Sequence, residues 1–488
     1  MLPTHSLSFI NFHITELYVH SSSFQCHRRA GAFAARSRRF MSCNEDTEIS
    51  YSSQSAERAI PSVAEQDFLS IGEKMVIRFP RLLVVQAGVL VVLAVNLWSQ
   101  EAPQSFDSQN GLLSPQQFIE ARKAFEEIET PEKGLGIHFN EASCAACHLA
   151  PGPRRLPGGS GPITEIRAGF LGFKNEFFPA PGGTLITTRA VGNATPEIKA
   201  LSDKQNIRDR FITISLFGAG FVEAVADEDL RKIQRKQMND SNGRIRGVIR
   251  EVPLLEAQGS TGVGRFGWAA QHTSLLSFSA DAYRNEMGIT SPLAPNDNTF
   301  LGDPVDDGIA DPEDKGKEFG TDVELFTSFM RSLAAPPRLL PEDKKERNEA
   351  EEGFKVFKST GCAACHLAEL ETVSEGTLIN GKTYRVPKAL GNKKFHPYGD
   401  FLLHDIGTGP TILREGMPPE SRGKIRTAAL WGLGTRFASG QPLLHDGSAR
   451  TPEDAILKHK NTAAQEAEEF RRLPERDRTR LLKFLRSL

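Results

Sequence analysis

The sequence predicts a mainly α-helical protein built from two modules in tandem, with long loops and a few short strands. Three observations carry that expectation. The heptapeptide Cys-Ala-Ala-Cys-His-Leu-Ala occurs twice, at residues 144–150 and 362–368. Each copy follows a stretch whose apolar residues recur at helical spacing: Phe118, Ala121, Phe125 and Ile128 before the first, Ala350, Phe354 and Phe357 before the second. Each half then closes on a similar amphipathic segment, FMRSL at 329–333 and FLRSL at 484–488. A helix, a cysteine motif and a closing helix, twice over, make an internal repeat.

The elements follow in order. Ser114-Pro115 is a helix start, with a capping hydroxyl and a proline at the first helical position. After the first motif, the Pro- and Gly-rich stretch from Pro151 to Gly183 reads as loop. Residues 207–260 mix apolar runs with turns such as Asn242-Gly243, the pattern of short strands or a hairpin. Val323, Leu325, Phe326, Phe329, Met330 and Leu333 form the first closing helix. Ala334-Ala-Pro-Pro337 ends it, because proline restricts the residue before it. Leu481, Leu482, Phe484, Leu485 and Leu488 form the second.

Two cysteines separated by two residues, with a histidine directly after, is the pattern for covalent attachment of a c-type haem. Each thiol adds to one vinyl group of the porphyrin, and the next side chain offers the iron an imidazole nitrogen. Cys144, Cys147, Cys362 and Cys365 are the expected attachment points, with His148 and His366 the expected iron ligands. The modules are therefore expected to be cytochrome c-like. Zinc ribbons pair their cysteines within about twenty residues, whereas these copies stand more than two hundred apart. A thioredoxin-like redox pair needs a βαβ setting that the sequence does not suggest.

The 488 residues are enough for two or three domains, and a net charge of −2 implies no nucleic-acid partner. Residues 1–74 are rich in Ser and Arg, lack periodicity, and read as an over-extended, disordered amino terminus. Met75 opens a basic stretch followed by an apolar run from Leu82 to Leu97, the layout of a secretory signal within 75–104. The run is short for a bilayer span, yet no small-x-small cleavage site follows it, so a membrane anchor stays open beside a cleaved signal. Residues 105–335 and 336–488 are then the two haem domains. Cys26 and Cys43 fall in the extension, so the mature chain has no cysteine outside its haem motifs. Haem ligation to thiols outside the bacterial cytoplasm agrees with export, and a periplasmic location is expected.

The segments GRFGW (264–268), MGITSP (287–292), DFLLHDIG (400–407), ALWGLG (429–434) and LLHDG (443–447) resemble the di-haem oxidoreductase family often labelled thiol oxidoreductase. That family is related to the bacterial di-haem cytochrome c peroxidases. The resemblance runs from about residue 105 to the carboxyl end. It implies a sixth ligand for the second haem fourteen residues after the histidine of HDG, here His459, where the peroxidases usually carry Met. Met raises a haem's potential relative to imidazole, so a His366/His459 haem is expected to sit lower. It also implies that Trp268 lies between the haems and that Glu286 is a distal carboxylate able to move protons for bound peroxide. Where the peroxidases carry Gln this chain has Phe278. Met287 and His272 are further distal candidates. His404, His445, Arg426 and Arg450 are candidates for bracing loops or pairing with the haem carboxylates. Calcium, which bridges the modules in some relatives, is a further candidate cofactor.

No histidine lies between His148 and His272, so the first iron is expected to keep an open or weakly held position. The expected function is electron transfer between two haems with peroxidase-like chemistry at the first, drawing on an electron-donor protein or a small redox substrate. The alternative is a di-haem electron carrier with no substrate chemistry. The thiol label finds no support, because no cysteine remains for exchange.

Overall fold

The computed structural model describes residues 99–488, apart from 107, 150–156, 162, 203–204, 298, 303–319 and 414–416. The amino-terminal extension, Met75, the apolar run, Cys26 and Cys43 lie outside the described residues. Among those described, no helix is long and apolar enough to cross a membrane.

The fold is not mainly α: of the described residues, 35% are helical and 16% are in strands, the latter spread over several small sheets. The largest sheet among the described residues takes two of its four strands from the stretch read as loop and one, Ile207–Ile212, from the region read as short strands. Its central strand, Thr164–Leu171, pairs antiparallel with Ile207–Ile212 over six residues, from Thr164 opposite Ile212 to Gly169 opposite Ile207. Leu185–Ile186 and Phe177–Phe178 complete it. The surrounding Pro and Gly masked an alternating run, Ile166, Ala168 and Phe170 on one side and Glu165, Arg167 and Gly169 on the other, which is the period of a half-buried strand.

The opposite error falls at Asp227–Asp240. This is a helix inside the region read as strands. Only Leu230 and Gln237 on it are buried, too thin a stripe to show as helical periodicity. A short hairpin, Glu251–Pro253 with Thr261–Val263, does stand in the remainder of that region.

The helices α1 (Pro115–Glu126), α2 (Leu275–Met287) and α3 (Asp322–Ser332) form the first helical core. A capping box at Ser114 starts α1, satisfying two otherwise unpaired donors. Phe118 and Phe125 pack on Phe329, with ring centroids 5.7 and 4.7 Å away. In the second core, α4 (Lys344–Ser359) lies against α5 (Glu475–Ser487). Phe354 and Phe357 each stand 5.2 Å from Phe484. The helices approach so closely at Gly353 that a Cβ there would sit 2.0 Å from the Arg480 carbonyl oxygen, so glycine is required inside this helix despite its cost.

Residues 100–101 pair in parallel with Lys393–Lys394, so the folded part takes in the last few residues assigned from sequence to the leader. Further along, Glu223 is fully buried and receives a two-pronged ion pair from Arg331 at 2.6 and 2.9 Å. It also accepts from Leu275 N and from Asn380 Nδ2. Arg331 lies 3.7 Å over the ring of Tyr384, so the pair ties α3 to the hairpin around residues 378–385. Burial pushes the Glu223 carboxyl up, but Arg331 and the other donors prevail and hold it below its ordinary range. Glu223→Ala is expected to cost about 3–5 kcal/mol, because it leaves a buried guanidinium unpaired. Urea unfolding measures this, and a loss under about 1 kcal/mol would rule out the pair as a main stay of the fold.

Candidate functional site

Each CAACH segment is a tight turn that aims its histidine inward. Cys144–Cys147 is one helical turn capped by Ser143, whose hydroxyl accepts from Ala146 N. Cys362–Ala364 is a 3₁₀ turn entered through Gly361 at φ 93°. In both copies the histidine N–H bonds back to the first cysteine carbonyl, at 2.9 and 3.0 Å. One phenylalanine from each opening helix stands beside the imidazole: Phe125 at 6.3 Å from His148 and Phe357 at 6.4 Å from His366. The repeat therefore holds in three dimensions, although the spacing from Phe to Cys differs between copies.

The two imidazoles are held alike. Nδ1 of His148 lies 3.0 Å from the Ile214 carbonyl oxygen, and Nδ1 of His366 lies 2.9 Å from that of Tyr398. A carbonyl only accepts, so the hydrogen resides on Nδ1 and the Nε2 lone pair is left free. That is the form in which histidine binds a metal, oriented by a second hydrogen bond. Burial lowers both to a pKa of about 4, so both are neutral near pH 7. The cysteines form no disulfide, and burial pushes Cys144 and Cys362 up to about 12.

Three adjoining cavities meet around these motifs. One of about 1460 Å³ takes in Cys362, Cys365, His366 and His459. Another of about 1110 Å³ takes in Cys144, Cys147 and His148. A third, about 1190 Å³, is lined by His148 on one side and by Arg426 and Arg436 on the other. Apolar cavities with a thiol pair and a free imidazole nitrogen fit a haem.

Trp268 lines all three cavities. Its indole N–H donates to Ile212 O at 2.8 Å, and its own carbonyl accepts from Arg426 N at 2.9 Å. It is clamped between the strand at 207–212 and the segment at 425–426.

His459 follows the helix Pro452–Leu457, which starts at the Thr451 cap and ends two residues short of it. Its Nδ1 lies 2.8 Å from Ala455 O, so it repeats the pattern of the two motif histidines and keeps Nε2 free. Burial lowers its pKa.

Among the described residues, the cavity of the first motif, at Cys144, Cys147 and His148, holds no such second imidazole. It is lined instead by Glu286, Met287 and Gln271. Glu286 accepts from Asn140 Nδ2 at 3.0 Å, and Asn140 in turn accepts from the N–H and hydroxyl of Thr188. Gln271 Oε1 accepts from Ala269 N at 3.1 Å, and Gln271 lines the same cavity. Sequence reasoning missed both Gln271 and Asn140. Ala270 at φ 50° marks the tight turn that swings Gln271 inward, and nothing local in the sequence signals it.

The remaining candidates separate. His272 is bound at Nε2 to Asp281, 3.0 Å away, and stacks on Phe278; it lines none of these cavities. His404 is bound at Nε2 to Asp400 at 2.8 Å, with Nδ1 4.0 Å from Cys365 Sγ. His445 packs beside Phe211 and Trp268. Arg450 lies on the exposed start of the 452–457 helix, away from the cavities, whereas Arg426 is buried and lines two of them. Among the described residues, the one group of three potential ligand atoms drawn together is Cys365, Asp400 and His404. It offers sulfur and nitrogen where calcium takes oxygens.

Behind the first cavity, Glu129 and Asp322 share the hydroxyl of Tyr283, at 3.3 and 3.5 Å. Burial and the nearby Asp322 and Glu127 carboxylates raise Glu129 to about 7. Its folded value lies above that of an ordinary glutamate, so its contribution to stability is full below the ordinary glutamate range and lost as pH rises through 7. The loss is at most about 3 kcal/mol. Glu129→Gln is expected to flatten the decline in melting temperature between pH 5 and 8, and an equal decline in both proteins would exclude Glu129 as its source.

A family model described as "Di-haem oxidoreductase, putative peroxidase" matches residues 194–488. That stretch holds Trp268, Glu286, the second motif and His459; the first motif precedes it. No curated protein matches the chain. A solved structure of Kuenenia stuttgartiensis hydrazine synthase, pressurised with 20 bar xenon, aligns over 89% of this chain and 100% of that one. The identity is 13% and the TM-score 0.36, too loose a likeness to carry an argument.

Proposed function

Because the chain belongs to the di-haem oxidoreductase family, we propose that it reduces peroxide with two covalently held haems of unequal roles. Cys144 and Cys147 would hold one haem and His148 would ligate its iron; Cys362 and Cys365 would hold the other, between His366 and His459. Bound there, the haems supply the electrons and the iron at which a peroxide oxygen–oxygen bond is broken. The observation that carries the reading is an asymmetry. Two imidazoles with free Nε2 atoms line the second cavity, whereas one such imidazole, a carboxyl and an amide line the first.

The chain's own part is to orient and to move protons. Glu286, steadied by Asn140, has a carboxyl oxygen placed to take a proton from peroxide and return it to the departing oxygen. Gln271 adds an amide donor that fixes the substrate. Trp268, touching every cavity, is the side chain through which the two haems would communicate. Export to the periplasm is part of the reading, since thioether attachment needs four reduced motif cysteines outside the cytoplasm. The electron source would be a donor protein or a small redox substrate.

One observation favours the electron-carrier reading. Met287 is buried and lines the first cavity, so its thioether could close the first iron. Absorption and EPR spectra of the oxidised holoprotein decide between them. High-spin haem together with peroxide-dependent turnover supports the enzyme; two low-spin haems in every redox state and no turnover sink it.

A further inference from the structure

Three of the most enclosed guanidinium groups among the described residues are paired with acids, whereas the buried Arg426 and the half-buried Arg436 are not. Arg331 has Glu223, Arg265 has Asp227 and Arg167 has Glu165. Arg426 and Arg436 make no salt bridge among the described residues. Arg426 donates Nε to Gly267 O at 2.6 Å and Nη1 to Thr427 O at 3.2 Å. Arg436 donates Nε to Pro442 O at 2.8 Å and Nη1 to Ser160 Oγ at 3.0 Å. Every acceptor is neutral. The acid nearest in effect to Arg426 is Asp400, whose Oδ2 is taken by His404 and by Gln237 at 2.5 Å.

A guanidinium has five donors, so each of these side chains keeps its Nη2 end unbound by the protein. Burial pushes both down to about 10. A charge kept in such surroundings needs an anion. Both side chains line the wall common to the second-motif cavity and the middle cavity beside His148. Arg436 is also locked across the two halves of the chain, since Ser160, which receives it, accepts at its carbonyl from Gln441 Nε2 at 2.6 Å.

We infer that Arg426 and Arg436 form a carboxylate-binding pair for the acidic arms of the two porphyrins, and that their charge raises the reduction potential of the haem held by Cys362 and Cys365. The inference rests on the haem assignment above. Thioethers hold the vinyl edge of a porphyrin at the cysteines, and its two carboxylates leave from the opposite edge. A planar fork matches a carboxylate. A fixed positive charge favours the iron state of lower charge, the reduced one, and so offsets the low potential that paired imidazoles impose.

The test is a spectroelectrochemical titration of the holoprotein and its Arg436→Gln variant. At the wild-type midpoint of the low-spin haem, the ratio of reduced to oxidised haem is expected to fall about tenfold in the variant. That is a shift of about 59 mV to lower potential for one electron. Arg436→Lys, which keeps the charge and loses the fork, is expected to recover most of it. A change under about threefold in folded Arg436→Gln overturns the inference. If that variant does not fold, Arg426→Gln decides on the same criterion. Mass spectrometry separates the two layers: a chain without two bound haems overturns the haem assignment, whereas two haems with unmoved potentials overturn only the role of the arginines.

Discussion

Replacing His459 with alanine is expected to convert the second haem from low-spin to high-spin while the protein mass still shows both haems attached. The imidazole is not free to adopt another role. Its Nδ1 hydrogen is committed to Ala455 O, and the residue lines the same cavity as His366. Burial first, and the charge of His459 to a smaller extent, lower the basicity of His366. Losing it leaves the iron with one protein nitrogen. Attachment depends on Cys362 and Cys365, which the substitution does not touch. His459→Met is expected to keep the haem low-spin and raise its potential, since thioether ligation does so relative to imidazole. An unchanged absorption spectrum in His459→Ala would remove this residue as a ligand.

Glu286→Gln is expected to lower peroxide turnover by about 10²–10⁴-fold, the range for a positioned acid–base group, with both haem spectra intact. The carboxyl stands on the last turn of α2, anchored through Asn140 and Thr188 rather than left on a solvated helix end. Glutamine keeps the shape and the bond to Asn140 but cannot take the proton. Asn140→Ala, which releases the carboxyl without removing it, is expected to cost about 10-fold, on the scale of a lost orienting hydrogen bond. Activity of Glu286→Gln within threefold of wild type would assign proton transfer elsewhere, and Gln271 would not supply it, since an amide does not titrate.

The parts of the site legible in the sequence are those whose chemistry is written into local spacing. Cys-x-x-Cys-His places two thiols and an imidazole on one turn wherever the chain runs. The Ser114-Pro115 start and the closing helices were legible for the same reason: caps and helical periodicity are local. The mixed fold was not. The strand at 164–171 stands among Pro and Gly and is made by its pairing with residues some forty positions away, and the helix at 227–240 exposes most of its surface, so it lacks the apolar stripe that a helix usually shows.

The sequence by itself determined where the two thiol pairs stand, that a histidine follows each, and that a further histidine, His459, serves the second half alone. Only the tertiary structure decided which nitrogen of each histidine is free, because the carbonyls of Ile214 and Tyr398 come from distant loops. It alone brought Gln271 and Asn140 to Glu286, and it alone left Arg426 and Arg436 without acids in a wall that two cavities share. The physical reason is one of range. Covalent attachment and helix starts are settled within a few bonds, whereas burial, tautomer and the pairing of charges depend on what the rest of the chain packs against each group.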